Sequence, residues 1–123
     1  MIVPELLAIV EQSNGLFKLE ELGKSLEGRS INLVSCGNGR TRVLLWSQMH
    51  GDETTATLAL MDIFNFLVKR IDEEKWIREM LEETSLYFIL MLNPDGAERV
   101  QRRTGDLALG RRRAPPAAAG GGA

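Results

Sequence analysis

The chain is poor in the residues on which many functions depend. Its 123 residues include one cysteine, one histidine and one tyrosine, and aromatics make up only 6%. A lone thiol, Cys36, cannot close an internal disulfide, so nothing in the sequence calls for an oxidising compartment. Long hydrophobic runs are missing as well. The longest apolar stretch is interrupted by Asp62 and Asn65 and is too short to cross a bilayer, so no membrane partner is expected. The opening, Met1-Ile2-Val3-Pro4-Glu5, has no basic stretch followed by an apolar run and a small-residue cleavage site. No secretory leader is expected, and the default compartment is the cytoplasm. A strong basic excess is absent too: the formal net charge is -2, which gives no support to a nucleic-acid partner.

What is present fits one soluble domain. Apolar residues make up 44% and charged residues 26%, ordinary for a globular chain and wrong for a disordered one. The near-neutral charge hides an asymmetry. Arg99, Arg102, Arg103 and Arg111 to Arg113 crowd the last stretch, where Asp106 is the only acid, so the body before them is acidic. Such a basic end can act as an interaction arm. Its text after Gly105 reads otherwise. Ala114-Pro115-Pro116 and the Ala/Gly residues that follow cannot bury a face, so residues 105–123 are expected to be a disordered, low-complexity tail. It reads more like an out-of-frame or vector-derived end than a selected edge. Residues 1–104 form the expected domain.

Apolar positions Leu6, Leu7, Ile9 and Val10 predict a helix over Pro4–Gln12, ended by Ser13-Asn14-Gly15. Gly23 to Ser30 reads as a turn-rich link. Ile31–Ser35 and Arg42–Ser47 read as strands, with Gly37-Asn38-Gly39 as a hairpin turn between them. Thr54–Arg70 is a helix apolar on nearly every side, which predicts packing between layers. Asp72–Glu83 is an amphipathic, solvent-facing helix. Ser85–Leu92 is a continuous apolar run, the pattern of a strand buried on both faces. Strand, helix, strand implies a parallel pair, so the fold class is α/β with a mostly parallel or mixed sheet and flanking helices. Ala97–Thr104 is a polar loop or short helix. Trp46, Phe64 and Phe66 are expected in the core, and Cys36, with no second histidine to activate it, is a buried structural thiol.

The only histidine, His50, follows a buried strand, and Glu53 lies at the start of the next helix. Ligands of open parallel sheets gather just past the carboxyl ends of strands. An imidazole nitrogen and a carboxylate oxygen converging there are both zinc ligands, and Gly51 permits a sharp turn between them. The bland alternative is a strand-closing histidine and a glutamate favoured by the helix dipole. For a bare H-x-x-E, that alternative is the commoner.

The surrounding text changes the balance. Ser47-Gln48-Met49-His50-Gly51-Asp52-Glu53-Thr54 resembles the first metal motif of the zinc carboxypeptidases. Upstream, Leu22 to Ile31 (LGKSLEGRSI) is similar to the family's G-x-S-x-E-G-R-x-I segment; downstream, Asn93-Pro94-Asp95-Gly96 resembles its N-P-D-G. The resemblance spans roughly Phe17 to Thr104. It implies zinc-dependent hydrolysis of a peptide substrate, with His50 and Glu53 as metal ligands. Arg103, or its neighbour Arg102, falls where the family keeps the arginine that polarises the scissile carbonyl. Asp52 replaces the arginine of the pancreatic members and is more like the bacterial branch.

The same resemblance shows what these residues do not supply. The family's site is His₂Glu, and this chain has a single histidine. No glutamate follows Glu98 to act as general base, no asparagine follows Asn93, and Tyr87 sits inside a core strand rather than at a substrate. The chain is therefore expected to be a truncated, inactive fragment, prone to self-association through an exposed sheet edge and apolar helix faces. Succinylglutamate desuccinylase and aspartoacylase-type amidohydrolases share an H-G-x-E motif and are the nearest alternative, though Asn93-Pro94-Asp95-Gly96 favours the peptidase side. A non-catalytic binding module is the other.

Overall fold

A computed structural model describes residues 3–52 and 54–108, with the backbone alone at residues 3 and 105–108. The elements run α1 (Val3–Gln12), β1 (Lys18–Lys24), β2 (Ser30–Cys36), β3 (Thr41–Trp46), α2 (Thr54–Arg70), α3 (Lys75–Glu83), β4 (Thr84–Ile89) and α4 (Pro94–Ala108). The four strands form one mixed sheet in the order β1-β2-β4-β3. β1 and β2 pair antiparallel, β2 and β4 pair antiparallel, and β3 and β4 pair parallel with Trp46 opposite Ile89. The class is α/β, and the parallel β3–β4 pair is the one expected from strand, helix, strand.

Two features of the chain order differ from the sequence reading. Gly37-Asn38-Gly39 is not a hairpin turn, because β4 is inserted between β2 and β3. The segment instead packs on the α3–β4 junction: the Asn38 amide donates to the Leu81 carbonyl at 2.9 Å, and Ser85 Oγ donates to the Gly39 carbonyl at 2.8 Å. A Cβ on Gly39 would fall on the backbone of Glu83 and Thr84, so only glycine allows that approach. β1 was also not foreseen. Its sequence KLEELGK has no sustained alternation, and Leu19 is its only residue that is not exposed. Charged side chains on an edge strand suit solvent and discourage edge-to-edge pairing.

The core lies on one face of the sheet. Val34, Cys36 and Phe88 point from the strands to Leu6 of α1, Leu60, Met61, Phe64 and Leu67 of α2, and Ile77 and Leu81 of α3. Phe64 is fully buried, edge-on to Phe17 at 5.2 Å and to Phe88 at 4.7 Å between ring centroids. α2 is covered on one face only. Thr57, Leu60, Met61, Phe64 and Leu67 recur at helical spacing and are buried, while Leu58, Ile63 and Phe66 are exposed. The expectation that α2 is packed between layers is therefore corrected, and with it the placement of Phe66 in the core.

Trp46 is corrected as well. It alternates with Leu44 onto the face of the edge strand β3 opposite α2, and the two are 49% and 53% exposed. Cys36 is the buried thiol expected, and burial pushes its pKa up to about 11. At neutral pH it is neither a nucleophile nor a ready metal ligand.

α4 is longer than the sequence suggested, reaching Ala108. It also begins earlier than expected, at a capped turn. Asn93 Oδ1 accepts the Gly96 amide at 2.9 Å, Pro94 occupies the first helical position, and Asp95 adds negative charge to the first turn. The rest of the expected tail, residues 109–123, lies outside the described residues. Among the described residues, no helix is long and apolar enough to cross a membrane.

Candidate metal centre at the end of β3

Because β3 and β4 are parallel, the segments that follow them emerge at the same end of the sheet. Backbone bonds continue past the strands and tie the two segments together. Ser47 N donates to Ile89 O at 3.0 Å, Leu92 N to Ser47 O at 2.8 Å, and Asn93 N to Gln48 O at 2.9 Å. Gln48 and Met91 face this junction with positive φ angles of 50° and 54°. For side chains other than glycine and asparagine that conformation costs on the order of 1 kcal/mol, and it persists only where neighbours enforce it.

His50 follows directly. It sits in the bend after Gln48 and its side chain is exposed. Gly51 then presses against the first turn of α4, where an added Cβ would meet the Gly96 and Ala97 backbone. The structure thus brings the two sequence motifs into contact: the loop bearing His50 rests on Asn93-Pro94-Asp95-Gly96. Glu53, the second ligand expected, lies outside the described residues. Among the described residues, no group of three or more His, Cys, Asp and Glu side chains is arranged to hold a metal ion.

Arg102 and Arg103 lie further along α4. Both are exposed, and Arg102 Nε is paired with Glu98 Oε1 at 3.0 Å. At 1.5 Å per residue they are about 9 and 10 Å along the helix axis from Gly96, where the loop makes contact. A cavity of about 200 Å³ between α2 and α4, closed by Gln48 and Met91, is walled by Thr54, Thr57, Ala97 and Val100, and neither arginine lines it. His50 is thus joined to the start of the helix, and the arginines are not part of that junction.

The third motif closes the arrangement from the opposite side. Asp95, almost buried, accepts Ser25 Oγ at 2.7 Å, Arg29 Nη1 at 3.0 Å and the Glu27 amide at 3.2 Å. Arg29 also reaches Glu27 at 2.8 Å, and Arg99 reaches Glu27 at 3.2 Å. The Ser25-to-Arg29 segment therefore clamps the first turn of α4 onto the β1–β2 turn. The Ser25 hydroxyl, followed by Arg29 and the Glu27 amide, holds the Asp95 carboxyl below the usual carboxylate range despite the opposing effect of burial. A lowered pKa stabilises the fold above the ordinary value near 4, and that stabilisation is lost as pH falls through the folded-state value. Asp95→Asn is expected to melt several degrees lower at neutral pH. It should also lose less stability than the parent as pH falls below the ordinary carboxylate value, as checked by circular-dichroism melts at a series of acidic pH values.

The sequence pointed to these motifs one by one but not to the polar residues between them. Ser47 and Gln48 are buried next to His50, and Thr57 is a hydroxyl in the otherwise apolar buried stripe of α2. Polar residues straight after a buried strand, with a threonine in register on the next helix, were the available signal.

The comparisons with known proteins identify the family. The family profile described as zinc carboxypeptidase matches residues 3–120, and the chain belongs to that family. Carboxypeptidase M of Mus musculus is 26% identical over 104 residues, covering 79% of this chain and 24% of the mouse protein. Carboxypeptidase D of Rattus norvegicus is 33% identical over 119 residues, covering 78% of this chain and 8% of the rat protein. The metallo-carboxypeptidase of Pseudomonas aeruginosa, solved with (2-guanidinoethylmercapto)succinic acid, superposes with a TM-score of 0.57 at 26% identity, over 76% of this chain and 26% of that one. The chain thus spans about a quarter or less of the length of these relatives.

Proposed function

We propose that these residues form the first half of a zinc carboxypeptidase active site, with His50 and Glu53 supplying two of three protein ligands for hydrolysis of a peptide substrate. The observation that carries the reading is the position of His50: exposed, just past the carboxyl end of a parallel strand, in a loop braced against the start of α4. A ring nitrogen and a carboxylate oxygen fit zinc in kind, but they fill only part of a ligand set. When bound, zinc would act as a Lewis acid at the scissile carbonyl and lower the pKa of a bound water. Of the two arginines, Arg102 is engaged by Glu98, so Arg103 is the better candidate to stabilise a developing oxyanion.

These 123 residues contain one histidine, so they cannot supply a second imidazole ligand. We expect the polypeptide to bind zinc weakly and to show no peptidase turnover. The check is isothermal titration with zinc, followed by an assay on peptides with free C-terminal carboxylates. Stoichiometric tight binding with turnover above a zinc-only blank would overturn the reading.

Self-association belongs to the same proposal. The outer edge of β3, with Val43, Leu44 and Trp46 all more than a third exposed, suits pairing with a second copy. Sedimentation velocity should show a concentration-dependent rise that Leu44→Lys removes. A monomer at every concentration would count against it.

A further inference from the structure

We propose that Gln48 is a positioning residue for the loop that carries His50, acting as the last member of a directional hydrogen-bond relay anchored at Met91, in the segment that follows β4. Gln48 is 4% exposed and Thr57 is 1% exposed. The hydroxyls of Ser47 and Thr57 are 2.6 Å apart, Thr57 Oγ1 is 2.7 Å from Gln48 Oε1, and Gln48 Nε2 is 3.0 Å from the Gly51 carbonyl. The Met91 amide donates to Ser47 Oγ at 3.1 Å.

The directions follow from which groups can donate. The Gly51 carbonyl only accepts, so the Gln48 amide nitrogen must face it; the reverse orientation would set two acceptors against each other. The Gln48 oxygen then faces Thr57, which must give it its single hydroxyl proton. Thr57 Oγ1 can therefore only accept from Ser47, so Ser47 donates to Thr57 while accepting the Met91 amide. The relay runs Met91 N–H to Ser47, Ser47 to Thr57, Thr57 to Gln48, and Gln48 to the Gly51 carbonyl. Among the described residues, no buried side-chain nitrogen or oxygen lacks a partner. A fully satisfied buried chain of this kind permits one arrangement of its members. Here that arrangement fixes the carbonyl next to His50 and sustains the positive φ of Gln48 and Met91.

This rests on the proposed ligand role of His50, and the test separates the two. Wild type, Gln48→Met, Thr57→Val and Thr57→Ser are compared by amide hydrogen exchange, by NMR line widths of residues 49–52, and by zinc affinity read at the His50 imidazole. Gln48→Met and Thr57→Val should broaden the loop signals and speed exchange at Met91. Both should weaken zinc binding by roughly 10-fold or more, the usual effect of losing the groups that orient a ligand, whereas Thr57→Ser should stay near wild type. Unchanged loop signals and affinity in Gln48→Met would overturn the proposal, as would failure of Thr57→Ser to retain them. If Gln48→Met does not fold, the Thr57 pair decides. If zinc never perturbs His50 in the wild type, the ligand reading fails, and the loop signals alone then decide whether Gln48 orders the loop.

Discussion

Phe64→Ala is expected to cost about 3–5 kcal/mol, the range for removing a fully buried aromatic ring. Phe64 joins three parts of the chain, since its ring meets Phe17 before β1 and Phe88 in β4 edge-on while its backbone belongs to α2. No smaller side chain keeps both contacts. A domain of this size has a total stability of roughly 5–15 kcal/mol, so the variant should lose a large share of it, seen as a lowered urea midpoint by circular dichroism. Phe66→Ala is the control. Phe66 is 43% exposed and leans on Trp76 at 6.2 Å, so its loss should cost less than about 1 kcal/mol. Similar losses at the two positions would mean that the one-sided packing of α2 is wrong.

Gly51→Val is the second large effect, and it separates the site from the fold. The β-carbon would meet the backbone of Gly96 and Ala97, and backbone in the first turn of a helix cannot give way as a flexible side chain can. Overpacking of this kind costs about 1–3 kcal/mol. The cheapest relief is for the loop to lift away from α4, carrying His50 with it. The core on the other side of the relay should survive, so the melting transition remains cooperative while amide signals of His50, Gly96 and Ala97 shift. Unchanged signals at Gly96 and Ala97 would contradict the contact between the loop and α4.

Much of this architecture can be read from the residues because local signals and burial agree there. The helical span of α2, the apolar run of β4 and the His50 loop at a strand end each carry a clear pattern, although α2, apolar on nearly every side, did not show which face is covered. The insertion of β4 between β2 and β3 was not legible. A glycine-flanked asparagine after a strand is the usual mark of a hairpin, and the sequence does not reveal that these glycines serve a close approach to Glu83 and Thr84 instead. β1 was missed because its Lys, Glu and Gly residues are poor strand formers and its sequence does not alternate. Trp46 and Phe66 were misplaced for a common reason: apolarity records what a surface favours, not which neighbours are present to cover it. The clamp on Asp95 depends on residues far apart in sequence, 66 and 70 positions for Arg29 and Ser25, and no local pattern reports such pairings.

The relation between the motifs explains why they occur together. LEGR braces the first turn of α4 through Asp95, α4 supports Gly51, and Gln48 fixes the carbonyl beside the imidazole. Each motif touches the next, so the three form one connected arrangement that ends at the His50 loop.

The most direct test is a zinc titration of the isotope-labelled 123-residue chain, following the side-chain nitrogens of His50 alongside the backbone amides. The prediction is weak, saturable binding that moves the His50 ring, Gly51 and the adjoining Gly96 and Ala97, and that disappears in His50→Ala while signals around Cys36 stay still. Binding that survives His50→Ala, or that centres on another part of the chain, would contradict the assignment.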